Sequence, residues 1–340
     1  MEVRRIGLIG YGEVGKIFSL GLKSRPGVVD VGAWDLKFGP PAPAAAGTAQ
    51  STGSAQSTGS TPPAGLTRST DTTHPMFIPA QAGPREAERA HARAAGVVAH
   101  DSIRSLCEAS DLVISAVTAS NTLAVAQEAA PFLRPGTVFL DLNSASPGTK
   151  QQAAALVDAR GAHYVEAGVM TSVPPYGIRV PMLLGGAQAA ELAQLLTGWG
   201  LDARAVSERL GVASAIKMCR SVMIKGLEAL VIESYATARQ YGVEDHVLPT
   251  LAETFPSIDW PKQGAYFFSR VVQHGKRRAE EMREAANTVE EAGFPPMLTA
   301  AIAEKQQWVA DLAAQGVFKD LPKDAPWQAY ADALIAARKR

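Results

Sequence analysis

Val3, Ile6, Leu8 and Ile9 form a short apolar run that ends at Gly10-Tyr11-Gly12-Glu13-Val14-Gly15. Val14, Ile17, Phe18, Leu20 and Leu22 then recur at helical spacing. Residues 28–34 read as a second strand closing at Trp34-Asp35. Strand, glycine-rich turn, helix and strand make a βαβ unit at the start of the chain. Periodicity stops between 39 and 83, where Pro, Ala, Gly, Ser and Thr dominate. There the hexapeptide Ala-Gln-Ser-Thr-Gly-Ser occurs at 49–54 and again at 55–60. This predicts a low-complexity insertion, mostly disordered, which the fold tolerates because loop-closure entropy grows only logarithmically with length.

Alternation resumes at 84. A helix is predicted over 84–95, a short strand at Val97-Val98, a strand over 111–117 and a helix over 119–130. A strand over 137–142, a helix over 148–159, strands at 163–169 and 181–184, and a helix over 187–197 follow. Such βα alternation predicts a doubly wound, mostly parallel sheet with helices on both faces. From about 208 no strand pattern remains. Helical segments cover 212–241, 266–292, 296–315 and 325–338, broken at Gly242, Pro256, Pro261, Gly293-Phe294-Pro295-Pro296 and Pro322. The expected organisation is an N-terminal Rossmann-like α/β domain over 1–208, carrying the insertion at 39–83, and an all-helical domain over 209–340.

Composition narrows the function classes. The chain has 340 residues, 46% hydrophobic and 19% charged, as an ordinary globular protein does. Lys plus Arg and Asp plus Glu number 33 each, so no general attraction to nucleic acid or to an anionic membrane is expected. Two cysteines, Cys107 and Cys219, are too few for a disulfide scaffold and suit a reducing cytoplasm. The first residues run straight into a strand pattern, so no signal peptide is expected, and no uncharged apolar run is long enough to span a membrane. None of the six histidines stands at metal-ligand spacing from another ligand, so no metal is expected.

Three constellations carry chemistry. The first is Gly10-x-Gly12-x-x-Gly15, directly after a strand and opening a helix, with Asp35 at the end of the next strand. This is the context a dinucleotide fingerprint requires. Gly10 permits the turn, Gly12 lets the backbone approach a pyrophosphate, and Gly15 lets the helix pack on the sheet. Tyr11, Glu13 and Val14 complete the loop, whose helix N-terminus favours an anion. Asp35 would accept from the adenosine ribose hydroxyls, which favours NAD; Lys37 nearby favours a 2′-phosphate and keeps NADP open. The second is Asp141-Leu142-Asn143-Ser144-Ala145-Ser146-Pro147, just past a strand. Asn143, Ser144 and Ser146 offer donors and acceptors where a nicotinamide and a hydroxyl substrate would meet; Ser146 before Pro147 also reads as a helix cap.

The third constellation runs from Gly211 to Ser221. Ile216, Cys219, Met223, Leu227 and Leu230 form an apolar stripe, predicted to face the core. Lys217, Ser221, Lys225 and Glu228 form a separate polar stripe. In isolation it reads as a solvated face; as chemistry it reads as an amine aimed into a cleft. His274 precedes Lys276, Arg277 and Arg278 and reads as a solvated helix end, with an anion-binding patch as the alternative.

Together these residues resemble the β-hydroxyacid dehydrogenases, the superfamily of 6-phosphogluconate and 3-hydroxyisobutyrate dehydrogenases, over essentially the whole chain outside 39–83. The resemblance rests on Gly10-x-Gly12-x-x-Gly15, on Asp141-x-Asn143-Ser144-x-x-Pro147 and on Gly211 to Ser221. It implies a Rossmann domain, a helical second domain, a cleft between them and usually a homodimer. Lys217 falls on the family's catalytic lysine, and Ser221 stands where the family has asparagine. Asn143 joins them in the implied catalytic set, Val117 and Thr118 join the cofactor set, and Ser144 joins the substrate set. Met170-Thr171-Ser172, then Val173-Pro174-Pro175, replace the family's Ser-Gly-Gly substrate segment, and Glu280 aligns near a late-helix lysine. These departures point to a less characterised branch with a variant C-terminal domain. The implied activity is NAD(P)-dependent hydride transfer between the nicotinamide and a small β-hydroxy acid or related alcohol or carbonyl compound. Met170, Val173 and Pro174 suggest a more apolar substrate tail than that of 6-phosphogluconate. Imine reduction on the same scaffold, whose branch lacks the lysine, and dinucleotide binding without catalysis are the alternatives.

Overall fold

The computed structural model describes residues 1–39 and 84–338, so the predicted insertion lies outside the described residues from position 40 onward. The first half builds one eight-stranded sheet. Its strands are β1 (Arg5–Ile9), β2 (Asp30–Trp34), β3 (Val98–Ala99), β4 (Leu112–Ser115), β5 (Val138–Asp141), β6 (His163–Val169), β7 (Met182–Gly185) and β8 (Ala203–Ser207), in the order β3-β2-β1-β4-β5-β6-β7-β8. All neighbours are parallel except β6 and β7. The winding direction reverses between β1 and β4, and at such a switch point the loops beyond the strand ends diverge and leave a crevice.

Helices α1 (Glu13–Leu22), α2 (Pro84–Ala94), α3 (Ile103–Ala109), α4 (Thr122–Ala129), α5 (Pro147–Asp158) and α6 (Ala189–Gly198) cover the sheet. Because successive strand residues point to opposite faces, Leu8 and Leu140 enter one core with Phe18, Leu184 and Trp199, while Ile9 and Phe139 enter the other with Leu106, Val113 and Val157. Beyond β8 the described chain is helical: α7 (Val212–Tyr241), α8 (Glu244–Thr254), α9 (Trp260–Glu291), α10 (Met297–Ala314) and α11 (Trp327–Ala337). Tyr235, Trp260, Phe268, Trp327 and Tyr330 form the core of this part.

The structure corrects several expectations. Edge strand β8 and helices α3 and α8 are elements not expected from the pattern: β8 is mostly small residues, α3 spans only seven residues and buries Ile103, Leu106 and Cys107, and α8 contains Pro249. Pro261 does not break a helix but starts one. It sits in the first turn of α9, where its missing N–H is no loss, and Asp259 accepts from Lys262 N–H to close the cap.

The largest correction concerns α7. Its apolar stripe faces outward: Met223 is 75% and Leu230 66% exposed, and Ile216, Leu227 and Cys219 are exposed as well. The polar stripe faces inward, with Ser221, Lys225 and Glu228 buried. Periodicity shows that a helix has two faces; which of them is buried depends on the partners the other helices bring.

Candidate active site

Beyond the end of β1, two of the three glycines are required by their surroundings and the third borders open space. Gly10 has φ +98°, and a side chain there would strike Ala116 O at 2.5 Å. A side chain on Gly15 would lie 1.9 Å from Gly10 O. Above Gly12 the space is open, and no side chain caps the N-terminus of α1. An uncapped helix N-terminus with bare backbone over it fits a dinucleotide pyrophosphate. Asp35 spans the end of β2: its Oδ2 accepts from Tyr11 N–H at 2.6 Å and its Oδ1 from Lys37 N–H at 2.8 Å. The Tyr11 ring turns away into the core, against Phe38 and His91, and its hydroxyl pairs with His91 Nδ1 at 3.2 Å. Tyr11 therefore offers this loop its backbone. The Lys37 side chain is exposed.

Asn143 is buried and braces two strand ends. Its Oδ1 accepts from Val117 N–H at 2.8 Å, and its Nδ2 donates to Ser115 Oγ at 2.9 Å. Thr118 is exposed on the same turn, held by Asn121 Nδ2 at 2.8 Å. Behind this loop lies a pair that sequence patterning did not show. Lys150 donates to both a carboxylate oxygen and the carbonyl of Asp141, at 3.0 and 3.1 Å, and Tyr164 donates to the other carboxylate oxygen. Burial and the Asp141 charge push the Tyr164 hydroxyl well above its ordinary pKa.

Lys217 and Ser144 meet past the end of β5: Lys217 Nζ donates to Ser144 Oγ at 2.6 Å. Gly168 of β6 lies against the same side chain, and a methyl group there would be 3.5 Å from Lys217 Cβ. Removal from water brings the Lys217 ammonium down to about 8, helped by Lys225, Lys150 and Arg277 and opposed by Glu281. Ser221, one turn on, accepts from Lys225 Nζ at 3.2 Å, and Lys225 pairs with Glu281 at 2.9 Å. Glu228 is likewise paired, with Arg278. From Ser221 to Glu228 the polar stripe is thus buried against α9, not solvated, while Lys217 is partly buried.

Two further parts of the site lay beyond sequence reasoning, because each bridges distant segments. Glu166 of β6, fully buried, accepts from the N–H groups of Gly211, Ala213 and Ser214 at 2.7, 3.1 and 3.3 Å, which anchors the start of the helix carrying Lys217. From α9, Glu284 accepts from Ser146 N–H at 2.7 Å, Glu291 from Ser146 Oγ at 2.7 Å and Gly148 N–H at 2.9 Å, and Glu280 from Ser120 Oγ at 3.2 Å. Ser146 also caps α5 as expected.

Among the expected substrate residues, Met170 is partly buried and Thr171 exposed, while Ser172 accepts from Arg270 Nη2 at 3.2 Å. Val173 is buried in the sheet core and Pro174 is exposed, so the apolar lining expected from Val173 is absent. His274 is not at a helix opening; it sits inside α9, partly buried. Burial lowers its pKa, reinforced by Arg270, Arg277 and Arg278 and opposed by Glu13. Arg277 and Arg278 are committed to Glu281 and Glu228 rather than forming a free cationic patch.

A glycine-cradled helix N-terminus at the switch point of a parallel sheet, closed by a helical second half, defines a two-part dinucleotide-binding protein of the dehydrogenase type. Residues 82–196 match the NAD binding domain of 6-phosphogluconate dehydrogenase, and residues 238–309 match a domain of unknown function, DUF1932. A conserved hypothetical protein from Sinorhizobium meliloti 1021 is 34% identical, with a TM-score of 0.70, covering 100% of this chain and 97% of that one. A conserved protein of unknown function, described as structurally similar to 3-hydroxyacid dehydrogenases, is 26% identical with a TM-score of 0.60, covering 92% of this chain and 99% of that one. Mycobacterium tuberculosis 3-hydroxyisobutyrate dehydrogenase, 16% identical with a TM-score of 0.58 over 97% of this chain and 99% of that one, shares the fold. An uncharacterized 28.5 kDa protein of Methanothermus fervidus is 28% identical over 223 residues, 64% of this chain and 82% of that one. The chain belongs to the 6-phosphogluconate dehydrogenase-like superfamily, in a branch with a variant C-terminal domain. The first match begins at residue 82 and so excludes Gly10–Gly15; that fingerprint stands on its own geometry.

Proposed function

We propose that the protein is an NAD-dependent oxidoreductase that interconverts a small β-hydroxy acid, or a related alcohol, and its carbonyl compound. Residues 1–208 hold the dinucleotide, and residues 209–340 bring Lys217 to it. The observation that carries this reading is the Lys217 Nζ to Ser144 Oγ hydrogen bond at 2.6 Å, just past the carboxyl end of β5, with the amine brought to about 8. A bound nicotinamide supplies or accepts the hydride. Gly10, Gly12 and Gly15 with Glu13 and Val14 hold the pyrophosphate, Asp35 holds the adenosine ribose, and Val117 and Thr118 line the dinucleotide path.

Proton transfer falls to the chain. At pH 7 roughly a tenth of Lys217 is neutral, against a negligible fraction for a free lysine. That fraction takes the proton from the substrate hydroxyl oxygen; in reduction the ammonium returns it. Ser144 orients the amine and the substrate hydroxyl, and Ser221 adds a second hydroxyl on the same helix face. Asn143 acts by holding the loop that aims Ser144. Met170, Thr171 and Ser172 form the wall on the substrate side. The outward apolar stripe of α7 supports a homodimer, because an aqueous surface of this kind is stabilised when covered.

The test is a panel of small hydroxy acids with NAD and NADP separately, following reduced-nicotinamide absorbance, for the native chain and Lys217→Met. Turnover of a panel member with NAD, lost in the variant, is the expected result. Undiminished turnover by Lys217→Met overturns the assignment.

A further inference from the structure

Beside Lys217 lies a charge cluster, buried at Lys225 and Glu281 and half exposed at Arg277, that binding and proton transfer leave unused. Both oxygens of Glu281 are taken by cations other than Lys217: Oε2 by Lys225 at 2.9 Å and Oε1 by Arg277 at 2.9 Å. Lys225 also donates to Ser221 Oγ at 3.2 Å. An ammonium only donates, so the Ser221 oxygen accepts there and its hydrogen is free to point elsewhere. Glu281 and Lys225 are both buried.

We propose that the Lys225–Glu281 pair is a positioning device for Lys217: by occupying Glu281, Lys225 prevents that carboxylate from pairing with Lys217, and it fixes the polarity of the Ser221 hydroxyl. This rests on the reading of Lys217 as the acid/base group. The charges acting on Lys217 come from three elements. Lys150 of α5 is neutralised by Asp141, Lys225 lies on α7 itself, and Glu281 and Arg277 lie on α9. Lys225, Arg277 and Glu281 together carry a net charge of one positive unit. Lys217 is partly buried and Arg277, about half exposed, is screened by water, so the buried Lys225 is the cation that most eases loss of the Lys217 proton. The same cluster holds Glu281 ionised: burial alone would raise its pKa, yet Lys225, Lys217 and Arg277 keep it at about 2.

The charge count gives each variant its own sign. Lys225→Met leaves a neutral cluster and an open Glu281 oxygen, so Lys217 titrates higher. Glu281→Gln leaves a cluster of two positive units, so Lys217 titrates lower. The double variant restores one positive unit and returns the titration close to that of the native chain, and Lys225→Arg, which keeps the charge, leaves it there.

The titration of Lys217 is read without any substrate. Acetic anhydride acetylates only the neutral amine, and the extent of labelling of the Lys217 peptide is followed by mass spectrometry across pH on the full chain, with circular dichroism as the folding control. A purely structural pair would lower thermal stability in both single variants and leave Lys217 unmoved. That outcome in any folded single variant overturns the proposal, as does a shift of the same sign in both. If Lys225→Met does not fold, the downward shift in Glu281→Gln and its reversal in the double variant carry the test. Because labelling needs no turnover, it separates failure of this proposal from failure of the dehydrogenase reading.

Discussion

Glu166 and Gly211 lie 45 residues apart, and a buried Glu166 Oε1 accepts the Gly211 N–H at 2.7 Å. With Ala213 and Ser214, Gly211 delivers the donors that the first turn of any helix leaves unpaired, and no side chain of α7 itself caps them. One strand carboxylate therefore sets the position of the helix that presents Lys217 two turns later. Replacing Glu166 by Gln turns one acceptor into a donor facing Ser214 N–H. The expected cost is about 1–3 kcal/mol, read as a lower urea midpoint with an unchanged slope, together with reduced turnover. Replacement by Asp, one methylene shorter, is expected to recover part of both.

Lys217→Met keeps the apolar stem and removes the amine. Turnover is expected to fall by about 10²–10⁴-fold, while dinucleotide binding, followed by protein fluorescence, stays within a few-fold of native. In the native chain, kcat/KM for oxidation should rise with pH through about 8, where Lys217 becomes a base, and the reductive direction should fall through the same range. Linkage gives stability a matching sign. The folded-state pKa of Lys217 lies below the free value, so between about 8 and 10.5 the unfolded chain binds more protons. Lys217 therefore destabilises the fold fully below about 8, and this penalty is relieved as pH rises toward 10.5. Lys217→Met should remove that contribution from the pH dependence of thermal unfolding.

Asp35 is fixed by two backbone N–H groups, so it cannot swing away from an added phosphate. A 2′-phosphate would meet a held anion, and NAD should be preferred over NADP. Asp35→Ser should narrow or invert the ratio of kcat/KM values for the two dinucleotides. A native preference for NADP would make the exposed Lys37 the deciding residue instead.

The apolar stripe of α7 gives a prediction for solution behaviour. Sedimentation equilibrium of the native chain is expected to show a dimer. Met223→Glu with Leu230→Glu, both at exposed positions, should yield a folded monomer. A native monomer would show that this face stays in water.

Lys225 shows where the reading of the polar stripe ended. Read along the chain, it is a cation two turns from Lys217 and fit to serve as an inert control. In three dimensions it is buried, paired with Glu281 and bonded to Ser221. Its removal would open one oxygen of the buried Glu281 carboxylate, leaving only the Arg277 pair, and would free Ser221, so it is no control at all. Nothing near Lys225 in sequence marks Glu281, 56 residues away, as its partner.

Short-range backbone chemistry sets the features that are legible along the chain. Gly10 and Gly15 are legible because a tight turn and a close crossing each exclude a side chain, and Gly12 because the same spacing leaves an open approach between them. Asp35 is legible because one βαβ unit places it at a strand end. The alternation of strands and helices, apart from β8, α3 and α8, follows from apolar periods that each segment carries alone, and the limits of α7 follow from Gly211 and Gly242, both with positive φ. Tertiary structure decided what depends on pairing between distant segments. It chose the face of α7 that is buried, because Arg278 and Glu281 of α9 neutralise Glu228 and Lys225 there. It placed Glu166 under the start of that helix and Ser144 at Lys217 Nζ. Burying a charge is favourable only where an opposite charge or a set of donors meets it, and the chain reveals those meetings only once its helices are packed.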